Sequence, residues 1–174
     1  EGIPLDDIDR VKADPKLSKM IDNTPTMGTE FFSFNTKKAP LDDVRVRRAL
    51  SYAIDRKSLV NDVNKGQGEP AQWFARPGLT GAPTLDKYPN LGVKYDPAKA
   101  KSELDAYLKD KGLAADKLDL TLLYNTSESN KKRAEAAVAM WKEVLGIDVK
   151  MVNQETKVFY KTRKEDPNVQ IMRS

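Results

Sequence analysis

The apolar pattern of residues 118–174 restricts the fold of this chain more than any other feature. Apolar and polar residues alternate over 118–122 and over 147–151, with the period of two that is typical of a β-strand. The apolar residues between these segments repeat along one helical face, and we assign them to the core: Ala134, Ala137, Val138, Trp141 and Leu145. A short helix over about 155–165 and a strand that begins near Val169 follow. This alternation predicts a βαβαβ unit, and therefore an α/β fold with a mostly parallel sheet flanked by helices.

The first half of the chain contains a predicted strand and an amphipathic helix. The phenylalanines of residues 31–34 favour a half-buried strand that ends before Pro40. Asp42 and Asp43 place negative charge at the start of a helix over about 42–55, where backbone N–H groups lack partners. The apolar face of this helix consists of Val46, Ala49, Leu50, Ala53 and Ile54. The arginines beside this face are expected to be solvated and to pair with nearby aspartates: Arg45, Arg47, Arg48 and Arg56.

Three further helices are predicted, and a long irregular segment precedes the last of them. A short helix near the start ends before Pro15, a second short helix has Leu59, Val60 and Val63 as its apolar side, and a third begins after Asp96 and ends at Gly112. Residues 64–95 are rich in glycine and proline and predict a long loop. Its large aromatic residues either pin the loop to the core or line a binding surface: Trp73, Phe74 and Tyr88.

Composition excludes several classes of function. The sequence contains no His and no Cys, so disulfides, thiolate catalysis, hydrolytic triads with histidine and the usual zinc sites are ruled out. Its 30 basic and 26 acidic residues are interleaved, which argues against a nucleic-acid-binding stripe. Asp42 and Asp43 are adjacent and surface-like, so they do not suggest an acid/base dyad. We therefore expect neither an enzyme nor a bound cofactor or metal.

Polar loops follow two neighbouring strands of the predicted sheet, over 125–130 and 153–156. Because ligands of open α/β sheets usually bind beyond the carboxyl ends of strands, we expect these loops to lie together at one edge. Capping of the next helix explains Ser127 or Ser129 and Asn153, and hydrogen bonding to a ligand is the alternative.

Several sequence blocks resemble, in the same order, the peptide-binding proteins of ABC importers, which form solute-binding protein family 5. The similar blocks comprise residues 31–56, 122–127, 137–146 and 152–155, and the resemblance covers about 28–174. It implies a periplasmic-binding-protein type II-like fold in a two-lobed bacterial receptor, located in the periplasm or on the outer face of the cytoplasmic membrane. Such a receptor encloses an oligopeptide between its lobes, delivers it to ABC permease subunits and performs no chemistry. Contact with the membrane would be indirect, through the permease or a lipid anchor.

The same resemblance implies five peptide-binding residues. Phe31 occupies an aromatic strand position that faces the peptide in the family. Asn130 stands where a relative has a histidine near the peptide carboxyl end. Tyr160 and Arg163 fall where relatives surround a peptide side chain. Arg173 is similar to the family arginine that contacts the ligand carboxylate, and a solvent-exposed arginine at a strand end is the alternative.

The resemblance also suggests a domain division and leaves the cargo open. Residues 1–25 would be the end of the first lobe and a connector, and 26–174 a truncated second lobe. We expect the chain to be a fragment, because it begins without a Met or signal sequence and the family's acidic residue for the peptide amino group would follow Ser174. Alternatives are a receptor for nickel, haem or an oligosaccharide, a standalone interaction module that uses the 64–95 loop, and a nucleic-acid binder suggested by the sequence pI of about 9.1.

Overall fold

The computed structural model describes residues 3–22, 24 and 28–174. Its helices are α1 (Ile8–Ala13), α2 (Val44–Tyr52), α3 (Arg56–Ser58), α4 (Pro97–Lys111), α5 (Glu128–Leu145) and α6 (Thr156–Glu165). Its strands are β1 (Phe32–Phe34), β2 (Leu120–Asn125), β3 (Val149–Gln154) and β4 (Ile171–Arg173). Short 3-10 turns occupy Leu5–Asp7, Leu17–Met20 and Ala115–Lys117, and a π-helical turn over Leu59–Val63 continues α3. In this described part of the chain, no helix combines the length and apolar character needed to cross a membrane.

The four strands form one sheet in the order β1-β4-β2-β3. β2 is parallel to both of its neighbours, so that Leu122 lies opposite Met151 on one side and Ile171 on the other. β1 is antiparallel to β4, and Phe32 lies opposite Arg173. The predicted βαβαβ unit is therefore confirmed as β2-α5-β3-α6-β4, and the aromatic strand adds an antiparallel edge to it.

The main core lies between one face of the sheet and helices α2, α4 and α5. Leu120, Leu122 and Tyr124 of β2 belong to this buried cluster, together with Trp141 and Leu50. Leu123 is also buried but lies outside the cluster, as expected for a side chain on the opposite face of the strand. α6 contacts β2 and buries Phe159, so helices cover both faces of the sheet.

The assignment of Trp141 to the core is confirmed. Its side chain is 1% exposed, and its indole Nε1 donates a hydrogen bond of 2.9 Å to the backbone oxygen of Leu50 in α2. Its ring also meets Phe32 edge-on, with the ring centroids 6.0 Å apart. One residue thus joins α5 to α2 and to strand β1.

Helix α2 is shorter than predicted, and its first turn is capped as the acidic residues suggested. Asp43 occupies the N-cap, and its carboxylate accepts a hydrogen bond of 2.8 Å from the backbone N–H of Arg45. The helix extends over Val44–Tyr52 rather than the predicted 42–55. Asp55 caps the next helix by accepting from the N–H groups of Lys57 and Ser58.

The arginines beside α2 are less solvated than the sequence suggested. Arg45 pairs with Asp43 and Asp110, in agreement with the prediction of surface ion pairs. Arg47 instead donates to the backbone oxygens of Leu41 and Asp42. Arg56 donates to the backbone oxygens of Ser51 and Ile54, and burial lowers the pKa of its guanidinium. For Arg47 and Arg56 the expectation of a solvated aspartate pair was wrong, because backbone carbonyls of the preceding turn compete for the guanidinium.

The three large aromatic residues of the 64–95 loop differ in exposure, and none of the three belongs to the core cluster: Trp73, Phe74 and Tyr88. Trp73 is half-buried and lies against Gly92, where the positive φ of 91° would strain any side-chain residue. Phe74 is 73% exposed and Tyr88 is exposed as well, so neither is buried in the core. The loop is held by particular contacts, such as the hydrogen bond of 2.9 Å from Val93 N–H to the oxygen of Gln72.

The first described residues pack against the rest of the chain. Leu5 and Ile8 are buried, and Lys12 donates a hydrogen bond of 2.9 Å to the backbone oxygen of Lys65. Lys132 of α5 also forms an ion pair with Asp6. The short helix that ends before Pro15 is confirmed as α1.

Candidate functional site

The carboxyl ends of β2 and β3 meet at one edge of the sheet. The hydroxyl of Thr126, which follows β2, donates to the side-chain oxygen of Asn153 at 2.9 Å and to the backbone oxygen of Gln154 at 3.0 Å. The backbone N–H of Thr126 also donates to the oxygen of Gln154 at 2.8 Å. The prediction that the two polar loops lie together is therefore confirmed.

The side chains that were assigned to helix capping have other partners. Ser127 stands at the N-cap of α5 but makes no capping hydrogen bond, and its hydroxyl lies 2.9 Å from that of Ser129. Asn153 accepts from Thr126, while Glu155 caps α6 by accepting from the N–H groups of its first turn. The capping interpretation of Ser127, Ser129 and Asn153 was thus wrong, because the two serine hydroxyls bond to each other and Asn153 accepts from Thr126.

Two buried asparagines connect this edge to helix α5. Asn130 is 5% exposed, and its amide nitrogen donates to the side-chain oxygen of Asn125 at 2.9 Å. The amide nitrogen of Asn125 lies 3.5 Å from the hydroxyl of Thr156 at the start of α6. Buried amides need such partners, because an unpaired one loses its hydration without compensation. The pair therefore holds the carboxyl end of β2 against both neighbouring helices.

Arg133, Glu30 and Arg173 form an ionic cluster beside these asparagines. Glu30 Oε1 accepts hydrogen bonds of 3.1 Å from Arg133 Nη1 and from Arg173 Nη2. Arg133 also donates from Nε to the side-chain oxygen of Asn64 at 2.7 Å, and its Nη1 lies 3.4 Å from the side-chain oxygen of Asn130. Burial lowers the pKa of Arg133; the charge of Glu30 opposes this shift and that of Arg173 adds to it. One carboxylate thus bridges two partly buried guanidinium groups.

Polar atoms without a partner lie at this edge of the sheet. In the described part of the chain, the buried side-chain atoms that lack a hydrogen-bond partner are Arg173 Nε and Gln154 Oε1. Arg173 ends β4 and Gln154 ends β3, so both belong to the carboxyl edge of the parallel strands. A donor and an acceptor left unpaired in a protein usually mark a position for water, an ion or a ligand. The N–H of Arg173 Nε can donate to a carboxylate or carbonyl oxygen, and Gln154 Oε1 can accept from an amide N–H.

An aromatic contact lies next to the ionic cluster. Phe31 follows Glu30 directly, and its ring meets Phe74 edge-on with a centroid distance of 5.0 Å. The hydroxyl of Thr29 donates to the backbone oxygen of Phe74 at 2.9 Å, which ties the 64–95 loop to the entry of β1. Phe31 and Phe74 both remain exposed, so they form an apolar surface at the entry of β1.

The family model described as "Bacterial extracellular solute-binding proteins, family 5 Middle" matches residues 1–174. The chain belongs to this family. This family 5 chain is 41% identical over 154 residues to the periplasmic oligopeptide-binding protein OppA of Salmonella typhimurium. The aligned region covers 85% of the chain and 28% of OppA. The chain is also 41% identical over 140 residues to the periplasmic murein peptide-binding protein MppA of Escherichia coli. That aligned region covers 80% of the chain and 26% of MppA.

The fold agrees with that of solved family 5 proteins. The structure of the Escherichia coli murein tripeptide binding protein MppA superimposes with a TM-score of 0.84 and 34% identity, over 100% of this chain and 33% of that one. The expected type II periplasmic-binding-protein fold is therefore confirmed. This family 5 chain spans about a quarter to a third of the length of these relatives.

The structure places the five predicted site residues of the family 5 chain in three groups. Asn130 contacts Arg133 directly, and Arg173 is linked to Arg133 through Glu30. Phe31 borders Glu30 in sequence and lies against Phe74. Tyr160 and Arg163 lie on α6, both exposed, and Tyr160 is 53% exposed with its ring against Phe159. Within the described residues, no hydrogen bond or ion pair joins these two to the ionic cluster.

Three residues around the ionic cluster were not among the predicted site residues: Glu30, Arg133 and Asn64. Arg133 follows Asn130 by three residues on a predicted helix, so the sequence did contain a signal that the two share a face. Glu30 and Asn64 gave no such signal. They reach Arg133 only because β1 pairs with β4 and because the turn after α3 packs near α5.

Proposed function

We propose that this chain forms one wall of the peptide-binding groove in the substrate-binding component of an ABC importer. The component captures oligopeptides between two lobes and delivers them to the membrane permease. The observation that carries this proposal is the carboxyl edge of the sheet, where Arg173 presents a buried Nε without a partner beside a polar strand end. A guanidinium with an available N–H is suited to the carboxylate of a peptide.

The relatives support the class of solute. OppA of Salmonella typhimurium is named an oligopeptide-binding protein and MppA of Escherichia coli a murein peptide-binding protein, and both are named periplasmic. Identities of 41% to each are consistent with a shared mode of binding at equivalent edges. We extend the proposal accordingly to a location in the periplasm or on the outer face of the cytoplasmic membrane, to ABC permease subunits as partners, and to binding without catalysis.

Five residues are proposed to contact the peptide, each with a separate part. Arg173 binds its carboxylate, and Phe31 packs against its backbone or an apolar side chain. Tyr160 and Arg163, exposed on α6, surround one of its side chains. Asn130 acts near the peptide carboxyl end, and because it is buried and bonded to Asn125 and Arg133, its part includes holding Arg133 in place.

We propose that 26–174 belongs to the second lobe and that 1–25 ends the first lobe and connects the two. Leu5 and Ile8 are buried and Lys65 forms an ion pair with Asp9, and these contacts support a connector that packs against the second lobe.

The proposal is tested by binding measurements on the protein expressed from the complete open reading frame that encodes this chain. Calorimetry with a mixture of tri- to pentapeptides should give saturable binding, because strand-like hydrogen bonding to a peptide backbone tolerates varied side chains. Nickel, haem and an oligosaccharide mixture are titrated in parallel as the other solute classes. Binding of one of these without binding of any peptide would overturn the assignment of peptide as cargo.

A further inference from the structure

The guanidinium of Arg173 uses only part of its hydrogen-bonding capacity. Its Nη2 donates to Glu30 Oε1 at 3.1 Å, whereas its Nε is buried and has no partner. Nε and Nη2 lie on the same side of a guanidinium, and together they make the two parallel N–H groups that hold a carboxylate side-on. An incoming carboxylate that used Nε and the N–H of Nη2 beside it would bring its negative charge next to Glu30, whose Oε1 accepts from the same Nη2.

Glu30 is held in this position by a second cation. Arg133 Nη1 lies 3.1 Å from Glu30 Oε1 and 3.0 Å from Glu30 Oε2, and Arg133 is itself fixed by its hydrogen bond to Asn64. If Glu30 released Arg173, its carboxylate would keep the contacts with Arg133. The three charges sum to one positive charge, so the cluster attracts one further anionic group rather than two.

We propose that Glu30 is a specificity-determining residue that competes, from within the protein, with the ligand carboxylate for Arg173. Glu30 occupies Nη2 when no ligand is bound and shifts wholly onto Arg133 when a carboxylate takes Nε and Nη2. This inference rests on the proposed function, because it concerns the same arginine and a ligand with a carboxylate. It assigns roles to Glu30 and Arg133 that neither sequence pattern nor resemblance indicated.

The competition predicts a particular ligand preference. A ligand with one carboxylate near Arg173 gains from the single positive charge that remains, and a ligand whose carboxylate is converted to an amide loses that gain. Removing the charge of Glu30 removes its repulsion of the ligand carboxylate and leaves two cations facing the ligand. The affinity for a carboxylate should then rise, and the affinity for the amide should stay as it was.

The test uses this chain with N-acetyl-dialanine and its carboxyl-terminal amide as probes. Binding is followed by NMR, through the side-chain Nε–Hε resonance of Arg173, at millimolar probe concentrations in a low-chloride buffer of physiological ionic strength. We expect Glu30→Gln to lower the Kd of the acid at least about threefold, the scale of one partly exposed ion pair. The Kd of the amide should not change. Glu30→Ala provides a second version that does not depend on how the glutamine side chain is placed, and it should shift the Kd of the acid in the same direction.

Glu143→Gln is the matched control. Glu143 is exposed near the end of α5, about 15 Å along the helix from Arg133, beyond the screening length at physiological salt. It changes the net charge by the same amount and should leave both Kd values unchanged. An equal gain in Glu143→Gln, an unchanged or higher acid Kd in both Glu30 variants, or no binding of the acid to any version would each overturn the proposal.

The outcome is separable from that of the proposed function. Tighter binding of the acid to the Glu30 variants, together with no peptide binding by the protein from the complete open reading frame, would remove the peptide receptor and keep the competition at Arg173. Peptide binding by that protein, together with an unchanged acid affinity in the Glu30 variants, would keep the peptide receptor and remove the competition at Arg173.

Discussion

Arg173 shows how one residue can be stabilised in place while part of its hydrogen-bonding capacity remains available. It lies opposite Phe32 across the β1–β4 pair and donates to Glu30, yet its Nε has no partner. In the protein from the complete open reading frame, we expect Arg173→Ala to weaken peptide binding by about 1–3 kcal/mol, the range for a lost hydrogen bond to a charged group. Calorimetry with the peptides that bind the unsubstituted protein measures this change.

Arg48→Ala is the control for the Arg173 variant. Arg48 lies on α2, and its contact with Glu103 is a loose surface pair at 3.7 Å. Its removal lowers the net charge equally and should leave peptide affinity unchanged. An Arg173→Ala protein that binds peptide as tightly as the Arg48→Ala protein would exclude Arg173 from the site.

Trp141 carries a prediction about stability rather than binding. Trp141→Phe should lower the free energy of unfolding by about 2 kcal/mol, because it leaves the buried oxygen of Leu50 without a donor and opens space beside Phe32. Urea denaturation followed by circular dichroism measures the loss. Trp73→Phe, in the half-buried side chain of the loop, is the control and should lose less than half as much. Equal losses would mean that the indole hydrogen bond of Trp141 contributes nothing particular.

Individual residues were predicted well where a periodic pattern decided their environment. Trp141 shares the spacing of Ala134 and Ala137, and all three are buried. Arg56 and Phe74 were predicted less well, because their environments depend on which backbone atoms and loops happen to lie near them. No spacing in the sequence encodes the carbonyls that receive Arg56 or the contact of Phe74 with Phe31.

At the scale of elements, the sequence determines the parallel part of the sheet better than its antiparallel edge. β2, α5, β3 and α6 follow one another closely, and right-handed crossovers leave few ways to arrange them. The β1–β4 pair joins Phe32 to Arg173, which are far apart in sequence, so neither strand indicates its partner. The ionic cluster depends on that pair, and this explains why Glu30 escaped prediction while the polar loops after β2 and β3 did not.

The stabilisation of α2 by its N-cap residue Asp43 should depend on pH. A side-chain hydrogen bond from Arg45 is the main reason that the pKa of Asp43 lies below its usual value. Since the pKa is lower in the folded state, the stabilisation by the charged group is present above the unfolded value, near 3.8, and is lost as the pH falls through the folded value. At pH 7, Asp43→Ala should lower the free energy of unfolding by about 1 kcal/mol, the typical contribution of an N-cap.

Asp43→Asn separates the charge of this cap from its hydrogen bond. An asparagine oxygen can still accept from the N–H of Arg45, so the variant should differ from the unsubstituted chain only in the ion pair. The difference between the two in urea denaturation should be measurable at pH 7 and should shrink as the pH falls below about 4. A difference that stayed constant over this range would show that the carboxylate charge does not stabilise α2.

At the scale of the whole molecule, the ionic cluster and the exposed Phe31–Phe74 contact both lie where strands β1 and β4 pair. Glu30, Phe31 and Arg173 are all at least partly exposed, and the chain matches only 26% and 28% of the lengths of MppA and OppA. A groove wall that faces solvent gains little from each hydrogen bond, because water competes for the same groups. In the proposed receptor, affinity should therefore arise when a second surface excludes that water.

We expect the chain by itself to bind peptides weakly, because among its described residues no second surface excludes water from the edge that it presents. Calorimetry of the chain with the tri- to pentapeptide mixture should give no binding at micromolar concentrations, although the millimolar contacts of a short carboxylate with Arg173 remain detectable by NMR. The protein from the complete open reading frame is the matched control and should bind the same mixture. Micromolar binding by the chain would mean that the described edge already encloses enough of the peptide to replace its lost hydration and chain entropy. The groove would then lie within the chain, between the Phe31–Phe74 surface and α6, rather than between two lobes.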